Sequence, residues 1–159
     1  MSGSAPAAGL VVTLEDVEPI TWGGQEAARF LLRGEDTGGR FSFYEVSVPA
    51  GEGSLRHLHH DADETFLVVE GEFEITIGEQ AHRTTPGMLV YGPRAVPHSF
   101  RNSGDQTSTM LCIMAPAGIE TFFSELSTLV GSHPAPQWED LRLLAERHRI
   151  TAFAPQEGD

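Results

Sequence analysis

The punctuation of this chain constrains its fold more than any other feature. Between about Leu10 and Ala115, short runs rich in Val, Ile, Phe, Thr and Tyr are broken by Gly23-Gly24, Gly38-Gly39, Gly51 to Gly53, Glu70-Gly71, Pro86-Gly87 and Gly104-Asp105. Turn signals roughly eight to twelve residues apart leave no room for long helices, and this residue mix favours pleated, half-buried strands. The stretch therefore reads as an all-β sandwich or barrel. Its clearest local unit is Glu64 to Glu70 followed by Glu72 to Gly78, joined tightly at Gly71 in the manner of a hairpin.

After Pro116 the period changes. Ile119, Phe122, Phe123, Leu126 and Val130 fall on one helical face, with Gly131 as a stop. A second helix is predicted after Pro136, with Trp138, Leu141, Leu144 and His148 on one side. The expected organisation is a flexible start over 1–9, a β-barrel over 10–116, a helical segment over 117–154 and a flexible tail over 155–159. The two helices should pack outside the barrel or across one mouth.

Charge narrows the partners. There are 23 acidic side chains against 10 Lys and Arg, a net −13 over 159 residues. Such a surface repels phosphate backbones and anionic bilayers, so neither nucleic acid nor membrane is expected as a partner, while a small organic substrate is compatible. Cys112 is the single cysteine, which rules out an intrachain disulfide and a thiolate metal cluster. With no apolar stretch long enough to span a bilayer, the expectation is a cytoplasmic protein.

The chemistry lies with the histidines. His57 and His59 stand two apart in a predicted strand, so both side chains leave the same face. Glu64 follows after His60, Asp61, Ala62 and Asp63, and this short connection is expected to bring it back beside the pair on an antiparallel neighbour. His98 comes some forty residues later, between Pro97 and Phe100. Three imidazoles and one carboxylate suit Fe, Mn, Ni, Cu or Zn and are too nitrogen-rich for Ca or Mg. An ion that prefers five or six ligands would keep positions open for substrate or dioxygen.

The spacing resembles the cupin superfamily through both of its signature motifs. The first reads Gly51, five residues, His57-Leu58-His59, four residues, Glu64, six residues, Gly71; the second reads Gly87, five residues, Pro93, then Ala95, two residues, His98, three residues, Asn102. The family pattern has glycine where Ala95 stands. The resemblance implies a double-stranded β-helix, a jelly-roll barrel, holding one divalent metal on His57, His59, Glu64 and His98. The single barrel and the Pro116-Ala117-Gly118 to Phe122-Phe123 tail are similar to small quercetinase-like cupins. That likeness implies a dioxygenase acting on an enolic or aromatic substrate, in which Glu64 both holds the metal and takes a proton from an acidic substrate hydroxyl. The same ligand set also serves Lewis-acid isomerases, decarboxylases and aromatic-polyketide cyclases, and a non-catalytic ligand-binding barrel is the reading from outside the enzyme class. Small cupins of this type imply a homodimer, with the strands before Gly51 expected in its interface.

Other residues carry weaker signals. Tyr44, Phe66, Val68, Met114 and Phe122 are candidate pocket-liners; for Phe66 and Val68 plain core is the stronger alternative, and the strand phase of Tyr44, Met110 and Met114 stays open. Phe122 and Phe123 are expected to staple the first helix to the barrel. Arg94 reads as a surface ion pair before a substrate contact, His60 as a loop residue, and Cys112 as inert core. His82, His133 and His148 read as exposed bystanders.

Overall fold

Alternation builds the strands. In Ser-Phe-Tyr-Glu-Val-Ser-Val the odd members are buried and the even ones face outward, a strict period of two. The computed structural model describes residues 9–22, 25–132 and 135–155. The turn Gly23-Gly24, residues 1–8 of the expected flexible start, His133, and residues 156–159 lie outside the described residues.

Two antiparallel sheets face each other. The first has the order β1 (Ile20–Trp22), β2 (Gln25–Leu32), β3 (Ser42–Val48), β10 (Ser108–Ala115), β5 (Asp63–Glu70), β8 (Leu89–Gly92). The second runs β11 (Ile150–Ala152), β4 (His57–His59), β9 (His98–Asn102), β6 (Phe73–Ile77), β7 (Gln80–Thr84). Their inward rows form one core in which Tyr44, Phe66, Phe73, Ile75, Met110 and Met114 are fully buried. This is the double-stranded β-helix with two C-terminal helices that the sequence predicts. A single-turn helix, α1 (Gly34–Thr37), bridges β2 and β3.

The hairpin reading at Gly71 is corrected. β5 pairs with β10 and β8, whereas β6 pairs with β7 and β9, so Gly71 is the corner at which the chain leaves one sheet for the other. Its φ of +77° is the left-handed value glycine adopts freely, and a Cβ there would sit 2.0 Å from Ser108 Oγ. Ser108 Oγ accepts the Glu72 N–H and donates to Asn102 Oδ1, while Asn102 Nδ2 donates to the Val48 and Gln106 carbonyls. Gly71 and Asn102, twenty and more residues apart in the motifs, thus close one buried polar corner.

The helices begin where the period predicts. α2 (Ile119–Ser132) runs through Gly131 and ends later than expected, and α3 (Trp138–Arg147) stops one residue short of His148. Phe123 packs on Trp22, Phe30 and Tyr44, with ring centroids 5.2, 5.5 and 5.7 Å apart. The Glu120 carboxylate accepts from Ser42 Oγ and the Gly34 and Gly118 N–H groups, tying the first turn of α2 to the barrel. The expected all-helical stretch 117–154 also contains a strand: β11 returns beside β4, pairing Ile150 with His59 and Ala152 with His57. Arg149, at φ +57°, turns the chain out of α3 and into it.

Gly71→Ala should cost roughly 2–4 kcal/mol in urea unfolding, since the left-handed penalty adds to a clash with Ser108. Gly51 and Gly87, at φ +78° and +90° with open space around them, should lose only about 1 kcal/mol on the same change. Equal losses at all of these positions would contradict the corner.

Candidate metal centre

The register brings a carboxylate and three imidazoles to one point inside the barrel. His57 and His59 both project inward from β4, and His98 is the cross-strand partner of His57 at the start of β9. Glu64 comes from the opposite sheet: it lies on β5, between Gly92 and Met114. The sequence expectation of an antiparallel neighbour is therefore corrected, because Glu64 meets the histidines across the interior. The short loop 60–62 is the crossover that allows this.

Glu64 Oε2 lies 3.0 Å from His98 Nε2, 3.2 Å from His59 Nε2 and 4.0 Å from His57 Nε2. One donor atom from each of the four residues falls within 4.8 Å of all the others. His59, Glu64 and His98 are buried, at 6%, 6% and 1% exposure. Main-chain carbonyls fix two of the rings: His57 Nδ1 donates to Leu55 and His98 Nδ1 to Val96. Both rings therefore turn an Nε2 lone pair inward in the neutral state, the usual arrangement of a metal-binding histidine. For His98 that lone pair meets a carboxylate oxygen at 3.0 Å, two acceptors face to face. A shared cation resolves the conflict, since ligands roughly 2.0–2.2 Å from one ion lie about this far from each other. The donor set thus fits one divalent transition metal of the Fe, Mn, Ni, Cu or Zn kind.

Electrostatics prepare the same outcome. Burial lowers the His57 pKa to about 4, with the neighbouring His98 and His59 adding to the effect, so this ring is neutral and free to ligate. Burial by itself would raise the Glu64 carboxyl, but hydrogen bonds from His59 and from the protonated form of His98, in which a proton stands in for the cation, outweigh it and hold the group well below the usual carboxylate range. His98 moves the other way: burial would lower it, yet the Glu64 contact leaves it raised. Tyr44 O–H donates to Glu64 Oε1 at 2.6 Å, and burial followed by the Glu64 charge pushes that phenol well up. Tyr44 is therefore a proton donor that orients the carboxylate.

The remaining candidates separate cleanly. Tyr44, Phe66, Val68 and Met114 are buried core residues behind the centre, and of the five candidate pocket-liners only Phe122 faces the cavity. That cavity, about 540 Å³, opens from His57, His59 and Glu64 between the barrel and the two helices. Its walls include Trp22, Val46, Phe100, Phe122, Leu126 and Leu141. Of the two placements the sequence offers, the helices take the one across a mouth, with Phe122 in the wall as expected; Leu126 and Leu141 are legible only as helix-face residues. Arg94 pairs with Asp63 at 2.9 Å, and His60 bonds Thr151 Oγ1 at 2.9 Å. His148 is no bystander: it packs edge-on against Phe122 and pairs with Glu125 at 3.3 Å. Ala95, where the family pattern has glycine, holds φ +62° while its N–H donates to the His59 carbonyl at 2.7 Å. The Cys112 thiol is buried and its pKa raised, as in an inert core position.

A cupin domain model matches residues 44–114. Protein SchB of Streptomyces halstedii is 30% identical over 129 residues, covering 79% of this chain and 91% of that protein. Quercetin 2,3-dioxygenase of Bacillus subtilis (strain 168) is 29% identical over 84 residues, 53% of this chain and 25% of the enzyme. The crystal structure of the polyketide cyclase RemF from Streptomyces resistomycificus superposes with a TM-score of 0.57 at 22% identity, over 68% of this chain and 80% of that one. The chain belongs to the cupin superfamily. It spans less than two thirds of the length of several curated relatives it matches, the dioxygenase among them.

Replacing His59 with alanine should abolish tight binding of one metal equivalent per chain, measured by elemental analysis after dialysis. The core residues stay intact, so far-UV circular dichroism should not change. Undiminished metal content would contradict the four-residue centre.

Proposed function

We propose that the protein is a metal-dependent enzyme of a small enolic or aromatic substrate, with dioxygenase chemistry as its reaction. The observation that carries this reading is the position of Glu64. Its carboxylate stands where the metal ligands and the apolar cavity meet, ionised and aimed by the Tyr44 hydroxyl. A substrate hydroxyl in the cavity meets Glu64, His57 and His59 at its inner end, and of these Glu64 is the anionic base. Glu64 is the group that accepts the proton, and Tyr44 keeps it oriented. The apolar walls exclude water from the resulting anion. When bound, the metal supplies Lewis acidity to a substrate oxygen and, where redox-active, electrons toward dioxygen.

The oxygenative form draws its support from the similarity to the Bacillus enzyme. A second reading, a non-oxidative cyclase, has an observation of its own: the likeness to RemF extends over most of that chain, whereas only a quarter of the dioxygenase is matched.

Glu64→Gln keeps the size of the side chain and an oxygen for Tyr44 but removes the base. Turnover of an enolic aromatic should fall by roughly two to four orders of magnitude, the usual worth of a positioned general base, while part of the metal is retained. Wild-type turnover should stop under argon. Turnover that continues without oxygen, and with zinc in place of a redox-active ion, would replace the dioxygenase by the cyclase reading.

A further inference from the structure

The cavity's charge pattern goes further than its size. Apart from the histidines, every basic residue of the chain is arginine, ten in all with no lysine, and none of the arginines lines the cavity. All ten are engaged elsewhere. Arg56 pairs with Glu79, Arg83 with Glu72, Arg94 with Asp63 and Arg149 with Asp61, and the others lie on carboxylates, on main-chain carbonyls or over the Phe30 ring. The ionised groups facing the cavity are carboxylates: Glu64 at the metal end, already met by Tyr44, His59 and His98, and the exposed Glu52. Between them the wall is mostly apolar, built from Phe100, Ile119, Phe122, Leu126, Val130 and Leu141, and its other polar side chains are neutral: Gln25, Ser47, Ser54 and Trp22, whose buried Nε1–H is an unpaired donor.

An anion pushed against such a wall loses its hydration and gains no cationic partner, one of the larger penalties in protein chemistry. A phosphate or a remote carboxylate would also meet the field of a chain carrying a net −13. A neutral ring system, by contrast, replaces water on both surfaces at a gain of about 25 cal/mol per Å². A volume of about 540 Å³ lies within the roughly 300–1,000 Å³ of sites that enclose drug-sized molecules.

We propose that the cavity selects uncharged, ring-bearing substrates that carry one acidic hydroxyl, and rejects sugar phosphates, dicarboxylates and other molecules that carry a negative charge away from that hydroxyl. The proposal rests on the cavity being the substrate site of the proposed enzyme. It adds that the discrimination lies in the wall formed by α2 and α3, remote from the metal. The hydroxyl is directed to Glu64, and the rest of the molecule lies along Phe122, Leu126 and Val130.

Isothermal titration calorimetry on the zinc-loaded protein tests this without any turnover. The probes are 2-naphthol, 6-hydroxy-2-naphthoate and 6-aminomethyl-2-naphthol, which share a ring and a hydroxyl and differ in charge at the far end. The naphthol should bind, and the naphthoate should bind at least tenfold more weakly; the aminomethyl probe, whose cation Glu52 can meet, should lose less than the naphthoate. Phe122→Ala should weaken the naphthol. Val130→Arg places a cation on the wall and should narrow or reverse the gap for the naphthoate. Leu55→Arg, at a loop position 37% exposed where folding is not at stake, should do the same to a smaller degree. A naphthoate that binds wild type as well as the naphthol does, or a naphthol that fails to bind at millimolar concentration, would overturn the proposal. Intact neutral preference with no product under any atmosphere would instead defeat the enzyme reading and leave this one standing.

Discussion

Glu64 is a carboxylate in the middle of a β-barrel, and much of the molecule is arranged so that it can stay there. An ionised carboxylate taken out of water without partners is among the costliest groups a core can hold. Here one oxygen receives the Tyr44 hydroxyl and the other faces His59 and His98. Those contacts depend on register. Glu64 shares its row with Met114 and Ser42, and the next inward row is Phe66, Cys112, Tyr44 and Phe30. A slip of one residue in β5 would turn Glu64 to solvent and bring Thr65 inside. The polar corner at Gly71, Ser108 and Asn102 fixes the other end of the same strands, which explains why residues that touch no metal belong to the motifs.

The helices complete what the barrel leaves open. α2 is anchored at its first turn by Glu120 and along its length by Phe123, so Phe122, Leu126 and Val130 are held over the mouth. α3 then delivers β11 beside β4, and Ile150 pairs with His59 itself. The wall of the cavity and the strand that carries two of the candidate metal ligands are thereby parts of one connected unit. The arginines are tied to carboxylates, to carbonyls or to the Phe30 ring, and none of them lines the cavity.

Much of this was legible in the sequence, for reasons that differ between residues. His57 and His59 announce a shared face through the two-residue period, and the motif spacing adds Glu64 and His98. The helix beginning at Ile119 is legible because five apolar residues recur at helical spacing. What could not be read is which strand lies beside which. A glycine at φ +77° closes a hairpin and turns a corner between sheets equally well, so Gly71 was consistent with either. β11 is three residues long and follows a helix directly, which gives periodicity nothing to work on. Tyr44 is a further case: its strand phase stays open in the sequence, and only the cross-strand register places its hydroxyl 2.6 Å from Glu64. Where phase could be read, at Phe66 and Val68, it separated inside from outside and left core and cavity undivided.

The account turns on one ion being held by three imidazoles from one sheet and one carboxylate from the other. X-ray absorption at the zinc edge of protein loaded with one equivalent tests it most directly, because imidazole rings leave an outer-shell signature that can be counted. Three rings are expected in the wild type, with nitrogen and oxygen donors at about 2.0–2.2 Å, and two rings in His57→Ala. Fewer than two rings in the wild type, or a spectrum unchanged by His57→Ala, would contradict the account.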